Sequence, residues 1–162
     1  MTKAVFKIDF DTSEFKKYVK SCNQAYAKVG VLGDAGGKDI QTISDYAVKL
    51  EYGVIEEHLP RRSFLKEPLQ NHLGEEIKDV SKTIKAQLDK GDIKKAVAIL
   101  GLKGVEIVKK AFDTQNDGKW APFSETTLKI MKENDPQRAK DPKLLKDTGA
   151  LYSSISSEVV VR

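Results

Sequence analysis

The sequence predicts an α+β fold: a small, mainly antiparallel sheet packed against a long antiparallel helix hairpin, with shorter helices around it. Three observations lead there. Short alternating or β-branched runs lie near both ends of the chain. Two long apolar stripes at spacings of three and four fill its middle. Only Lys90-Gly91-Asp92 separates those stripes, too short a link for anything but an antiparallel pair.

The elements follow in order. Val5 to Phe10 alternates, with Phe6, Ile8 and Phe10 on one side and Lys7 and Asp9 on the other, as a half-buried strand does. Thr12 or Ser13 caps a helix expected to run to about Ala27, with Phe15, Val19, Cys22 and Tyr26 on one face. Val29 to Leu32 reads as a second strand, closed by Gly33, and the Gly-rich stretch 34–39 as an exposed loop. Ser44 or Asp45 starts a short helix through Tyr46, Ala47, Leu50 and Glu51, stopped at Gly53. Residues 54–62 are irregular around Pro60. From Phe64 the stripe Leu65, Leu69, Leu73, Ile77, Val80, Ile84, Leu88 defines a long helix in which Pro68 fits only near the first turn.

Gly91 ends that helix and Asp92 caps the next, which carries Ile93, Val97, Leu100, Ile107, Val108, Ala111 and Phe112 inward. Gly101 and Gly104 lie within it and imply either a close helix crossing or a kink. Asn116-Asp117-Gly118 marks a turn, Ser124 caps a shorter helix with Leu128 and Met131, and residues 134–142 are charged and proline-bearing. Apolar residues return from Leu144 to Ile155, and Glu158 to Val161 closes the chain as a strand. At 162 residues this is one domain, 1–162, with mobile loops expected at 34–39 and 113–142.

Composition narrows the function classes. The net charge is +4, with 40% hydrophobic and 32% charged residues, and both signs are interspersed. Such a mild excess permits nucleic-acid binding without arguing for it. The single cysteine, Cys22, excludes an intrachain disulfide and a multi-cysteine metal site. No apolar run approaches the ~18 residues of a membrane helix, and Met1 to Val5 leads into a charged segment unlike a signal peptide, so action in the compartment of synthesis is expected.

Motifs with catalytic overtones are weak. Asp147-Thr148-Gly149, preceded by Leu144-Leu145, has the form of an aspartic-protease loop, but that chemistry needs two aspartates sharing a proton. There is one copy, and the chain from Ala150 to Arg162 is too short to build a cleft around it, so a turn into a helix is the preferred reading. Asp113, Gln115, Asp117 and Gly118 begin like a calcium loop, yet Gln115 stands at the third position and Ser124 at the twelfth. Gly33 to Lys38 is one residue short of a phosphate loop, with Asp39 where a hydroxyl would bind magnesium. His58 and His72 lack the helical pairing of a zinc site. Arg61-Arg62, with Lys140, could meet phosphate; a solvated or salt-bridged helix entrance competes equally. Trp120, beside Pro122 and Phe123, reads first as a packing lid over the hairpin and second as an anchor for another protein. No catalytic residue, cofactor or metal is assigned.

Three separated blocks carry a resemblance. The first runs from Val29-Gly30-Val31-Leu32 through Tyr46-Ala47 to Glu51-Tyr52-Gly53. The second is Leu59-Pro60-Arg61-Arg62-Ser63-Phe64-Leu65. The third comprises Trp120-Ala121-Pro122-Phe123-Ser124, Thr127, Lys129, Leu144-Leu145, Asp147-Thr148-Gly149, Leu151 and Ser154-Ile155. In this order they resemble the virion morphogenesis proteins, the tail-completion or neck proteins of Mu-like and lambdoid tailed phages and prophages. The pattern departs from that family where Phe123 replaces leucine, where Arg62-Ser63 stands for Arg-Pro, and in a longer segment 134–142.

The resemblance implies a structural virion component that helps join tail to head, not an enzyme. It also implies partners among neck and tail proteins (a tail terminator, head-completion or connector proteins), a homo-oligomeric ring, and location in the virion after assembly in the host cytoplasm. Its motif and interface candidates are Tyr52, Gly53, Pro60, Arg61, Phe64, Leu65, Trp120, Pro122, Leu145, Thr148, Gly149 and Leu151. The competing reading is a basic nucleic-acid-binding module.

Overall fold

A computed structural model of the chain describes residues 25–32, 40–145 and 149–161. Strand β1 (Ala25–Val31) pairs antiparallel with strand β2 (Ile155–Val161), so the two ends of the described chain close on each other. Between them come helices α1 (Ile40–Tyr52), α2 (Lys66–Asp89), α3 (Ile93–Thr114) and α4 (Glu125–Asn134), a 3-10 turn (Arg138–Lys140) and the short helix α5 (Ala150–Ser154). The α+β architecture expected from the sequence is present, with α2 and α3 as the long hairpin.

Helix α3 is the middle layer. It packs against α2 on one side and against both strands on the other. Gly101 and Gly104 make the second contact possible. A Cβ at Gly101 would stand 3.0 Å from the Ser157 Cβ and 3.1 Å from the Ala27 Cβ, and one at Gly104 3.0 Å from the Val29 Cγ2. The close crossing is therefore between helix and sheet, not between two helices, and α3 runs unbroken through both glycines.

The hairpin turn follows local chemistry. Gly91 takes a positive φ of 75°, and the Asp92 side chain accepts from the Lys95 N–H at 3.0 Å. At the far end of α3, Gln115, Asn116, Asp117 and Gly118 all have left-handed φ, a run that the Asn-Asp-Gly signal suits. Ser124 caps α4 through the Thr127 N–H at 3.1 Å.

Several boundaries differ from the sequence reading. β1 begins at Ala25, so residues 25–27 are strand, not the end of a helix; Tyr26 points from the strand with 39% exposure. Ala25 faces Val161 across the ladder, a partner more than a hundred residues away that a local spacing rule cannot register. β2 likewise starts at Ile155, three residues before Glu158, because pairing with Val31 extends it through two serines. α1 starts at Ile40, ahead of Ser44. The expected strand at Val5 to Phe10, the helix cap at Thr12 or Ser13, the loop 34–39 and Thr148 lie outside the described residues.

The core gathers at one end of the hairpin. Phe112 is its hub: the rings of Phe64, Trp120 and Tyr152 stand edge-on to it at centroid distances of 5.4, 5.8 and 5.6 Å. Ile43, Ala47, Leu50, Val108, Leu144, Leu151 and Ile155 close around this cluster. The outward part of α2 is only half-buried along its stripe, since it has a neighbour on one side alone.

Candidate functional site

The motif residues converge where α1 ends and α2 begins. Helix α1 stops because Gly53 adopts φ 76°, and a side chain there would bring a Cβ within 2.9 Å of the Arg61 backbone nitrogen. Beyond it, Val54 and Leu59 exchange backbone hydrogen bonds of 3.0 Å, a bridge that turns the chain back on itself. The Arg62 N–H then reaches the Leu50 carbonyl at 2.8 Å, and Arg61 Nε donates to the Glu51 carbonyl at 3.2 Å.

This return brings the start of α2 against Glu51, whose side chain is buried. Glu51 Oε1 accepts from Ser63 Oγ at 2.6 Å and the Lys66 N–H at 3.1 Å; Oε2 accepts from the Phe64 and Leu65 N–H groups, each at 3.0 Å. Ser63 Oγ in turn accepts from the Glu67 N–H at 3.1 Å. Pro68 has no N–H to satisfy, and the intrahelical ladder begins with the Leu69 N–H on the Leu65 carbonyl. Every orphan donor at this N-terminus is thus met, although the N-cap residue itself, Leu65, makes no side-chain cap bond. The carboxylate of one helix caps the next, where the helix dipole also favours an anion.

Further polar contacts extend the knot. Trp120 Nε1 donates to the Ser63 carbonyl at 3.0 Å, which fixes the loop after α3 onto the same segment. Arg61 Nη2 pairs with Glu67 Oε1 at 2.7 Å, and Asn116 Nδ2 donates to Glu67 Oε2 at 3.2 Å. Arg62 is buried, with Nε on the Ala121 carbonyl at 2.9 Å and Nη2 on the Pro122 carbonyl at 3.2 Å; its guanidinium stands 5.7 Å from the Phe123 ring centre. Burial holds the Arg62 pKa below its ordinary value, an effect the neighbouring Tyr46 phenol partly opposes.

The structure therefore separates the sequence-predicted residues by role. Phe64, Trp120 and Leu151 belong to the core, and Leu151 also lines a cleft at its edge. Gly53, Pro60, Arg61 and Leu65 form the turn into α2. Pro122 supplies a carbonyl to Arg62. Leu145 sits half-buried against the core with a left-handed φ of 61°, and Gly149, with φ 72°, starts α5. Tyr52 is 68% exposed, continuing an apolar flank of α1 through Val48 to Ile55 at the turn tip. Arg61 and Arg62, the pair that could have met phosphate, are committed to Glu67 and to backbone carbonyls. Sequence reasoning missed the roles of Glu51 and Asn116. The one available signal was that Leu65, at the N-cap of a helix of 24 residues, has no side-chain acceptor to offer.

Among the described residues, no group of three or more His, Cys, Asp or Glu side chains is placed to hold a metal ion, and no helix is long and apolar enough to cross a membrane. The aspartate and glycine of the calcium-like stretch lie in the left-handed run after α3, where Asp117 pairs with His72 at 3.2 Å. Comparison with protein-family profiles, with curated proteins and with solved structures finds no match to this chain.

Proposed function

We propose that this chain is a structural virion protein of a tailed phage or prophage, a tail-completion or neck component that helps join tail to head. It works by docking, without bond-making chemistry, as one subunit of a homo-oligomeric ring that contacts other neck and tail proteins such as a tail terminator or a head-completion protein. The observation that carries this reading is the ordered set of three sequence blocks. They are far apart in the chain, yet Glu51-Tyr52-Gly53, Pro60 to Leu65, Trp120 to Phe123, Leu144-Leu145 and Ala150 to Ile155 surround one polar knot and one aromatic core. Residues that build a single body account for a motif spread over more than a hundred positions better than independent chance similarities do.

The test is genetic. A phage lacking this gene is expected to make filled heads and separate tails that do not join, and the missing protein added to such a lysate should restore joined particles. Normal infectious particles in its absence would refute the reading. Salt-sensitive binding to DNA by the purified chain, lost when Lys140 is neutralised, would favour the nucleic-acid module instead.

A further inference from the structure

An open cleft at the aromatic end lies between α1, Phe123 and the start of α5. Its volume is about 420 Å³. Its walls combine apolar groups (Phe123, Leu145 and Leu151) with Arg62, Arg138 and the half-exposed Tyr46 ring. None of the described residues lining it is acidic.

Arg62 is the unusual member. It is 7% exposed, and a cation that buried normally carries a carboxylate partner. Here its contacts among the described residues are two backbone carbonyls and the Phe123 ring, with no carboxylate. Those contacts occupy Nε and Nη2 and fix the guanidinium plane at the wall of the cleft. A guanidinium has five donors in a rigid fork, so capacity remains for an oxygen arriving from the open side.

We propose that this cleft binds a protein segment carrying one carboxylate next to a large apolar side chain, with the carboxylate on the Arg62 guanidinium and the apolar group against Phe123, Leu145 and Leu151. Charge complementarity selects the anion: the Arg62 guanidinium at the wall is already desolvated and already held, so little ordering accompanies binding. The apolar lining selects a carboxylate attached to hydrocarbon over a bare phosphate, which would leave that surface in water. The inference stands on the cleft alone and is independent of the virion role.

The experiment uses the full chain, labelled to observe the arginine Nε–H resonances by NMR. Two peptides serve as probes, acetyl-Glu-Phe-amide and acetyl-Gln-Phe-amide, which differ by one oxygen for nitrogen replacement. The Glu peptide is expected to shift the Arg62 resonance and to bind at least ~10-fold more tightly than the Gln peptide, the usual margin of a charge-assisted bond. Equal shifts from both peptides, or none, would overturn the proposal. So would inorganic phosphate moving Arg62 as strongly as the Glu peptide, since that would mark a phosphate site.

Because Arg62→Met removes bonds to two loop carbonyls and can unfold the loop, the deciding variant is Tyr46→Glu. It places a carboxylate at the half-exposed Tyr46 position in the cleft wall and should abolish Glu-peptide binding while the resonances of core residues away from the cleft stay in place. Retained binding would count against the site. Asp147 adjoins the lining residues in sequence, so Asp147→Asn is the remaining control. An Arg62 shift in the peptide-free variant, opposite in sense to the shift that a bound carboxylate causes, together with no effect of the Glu peptide on the wild-type resonance, would assign the carboxylate to the chain itself and refute an external ligand.

Discussion

Replacing Glu51 by alanine removes the acceptor for one hydroxyl and three backbone N–H groups at once. Some of those donors sit too deep for water to take over, so the substitution should destabilise the fold by about 2–4 kcal/mol. Urea denaturation measures this as a lower midpoint with an unchanged slope. A loss below ~1 kcal/mol would mean that solvent caps α2 adequately and that the carboxylate is incidental. The same residue shows why this site was only partly legible beforehand. Glu51 lies on the exposed-looking run Lys49-Leu50-Glu51-Tyr52 of an amphipathic helix, and charged side chains are usually solvated. Nothing within a few positions says that the chain will return at Ser63 to bury it. Arg62 was obscured in the same way, its partners Ala121 and Pro122 being about sixty residues distant. Trp120 was easier, because a large apolar ring in a polar loop has few outcomes other than burial or contact with another molecule.

At the scale of elements, two glycines in helices make opposite demands. A Cβ at Gly101 meets atoms fixed to the sheet backbone, the Cβ carbons of Ser157 and Ala27, which cannot rotate aside. Gly101→Ala should therefore push α3 from the sheet and cost about 1–2 kcal/mol, despite alanine's better helix propensity. Gly74 lies within α2 with nothing in reach of a new methyl, and Gly74→Ala should stabilise by about 0.5–1 kcal/mol. Thermal unfolding of the two variants checks the predicted opposite signs; a stabilised Gly101→Ala would show that the helix and sheet have slack.

The hairpin also carries an ion-pair bridge. Lys103 Nζ meets Glu76 Oε2 at 2.8 Å and Lys110 Nζ meets Glu76 Oε1 at 3.1 Å, from α3 to α2. The hydrogen bond from Lys103, then that from Lys110, holds the Glu76 carboxyl below its ordinary 4.5. Its contribution is complete above that value and is lost as pH falls through the lower folded-state value. Lys103, raised above its ordinary 10.5 chiefly by the bond to Glu76, contributes below 10.5 and loses its share as pH rises through the folded-state value. Wild type and Glu76→Gln should thus differ by a constant stability near neutral pH, with the gap closing as pH falls below the ordinary carboxyl value of 4.5 and through the lower folded-state value. A gap that persists at acid pH would mean packing, not charge, separates them. The two long helices were legible because their stripes, the Gly91 stop and the Asp92 cap all agree. The start of β1 was not, because Cys22 and Tyr26 keep helical spacing while strand pairing with Val161 decides residues 25–27.

For the molecule as a whole, the two-layered packing of α3 leaves one flank of α1 with no neighbour inside the described chain. Val48, Tyr52 and Ile55 line it at 58%, 68% and 88% exposure. Large side chains left in water at this density mark a surface that another molecule covers more often than one that stays bare. In the proposed ring of identical subunits each copy would meet its neighbour through two different patches, and a patch next to the Gly53 turn would be held rigidly enough to fix the rotation between subunits. Tyr52→Glu tests this cleanly because Tyr52 has no role in the core. The isolated subunit should keep its unfolding midpoint to within ~0.5 kcal/mol, as surface substitutions do. Incorporation into particles should nevertheless fall steeply, since a charge buried between copies costs several kcal/mol and is repeated at every interface of the ring. The comparison needs only a complementation assay and an unfolding curve on the same variant. A variant that is both stable and fully incorporated would remove this flank from the contact surface; one that unfolds would show instead that Tyr52 holds the turn at Gly53.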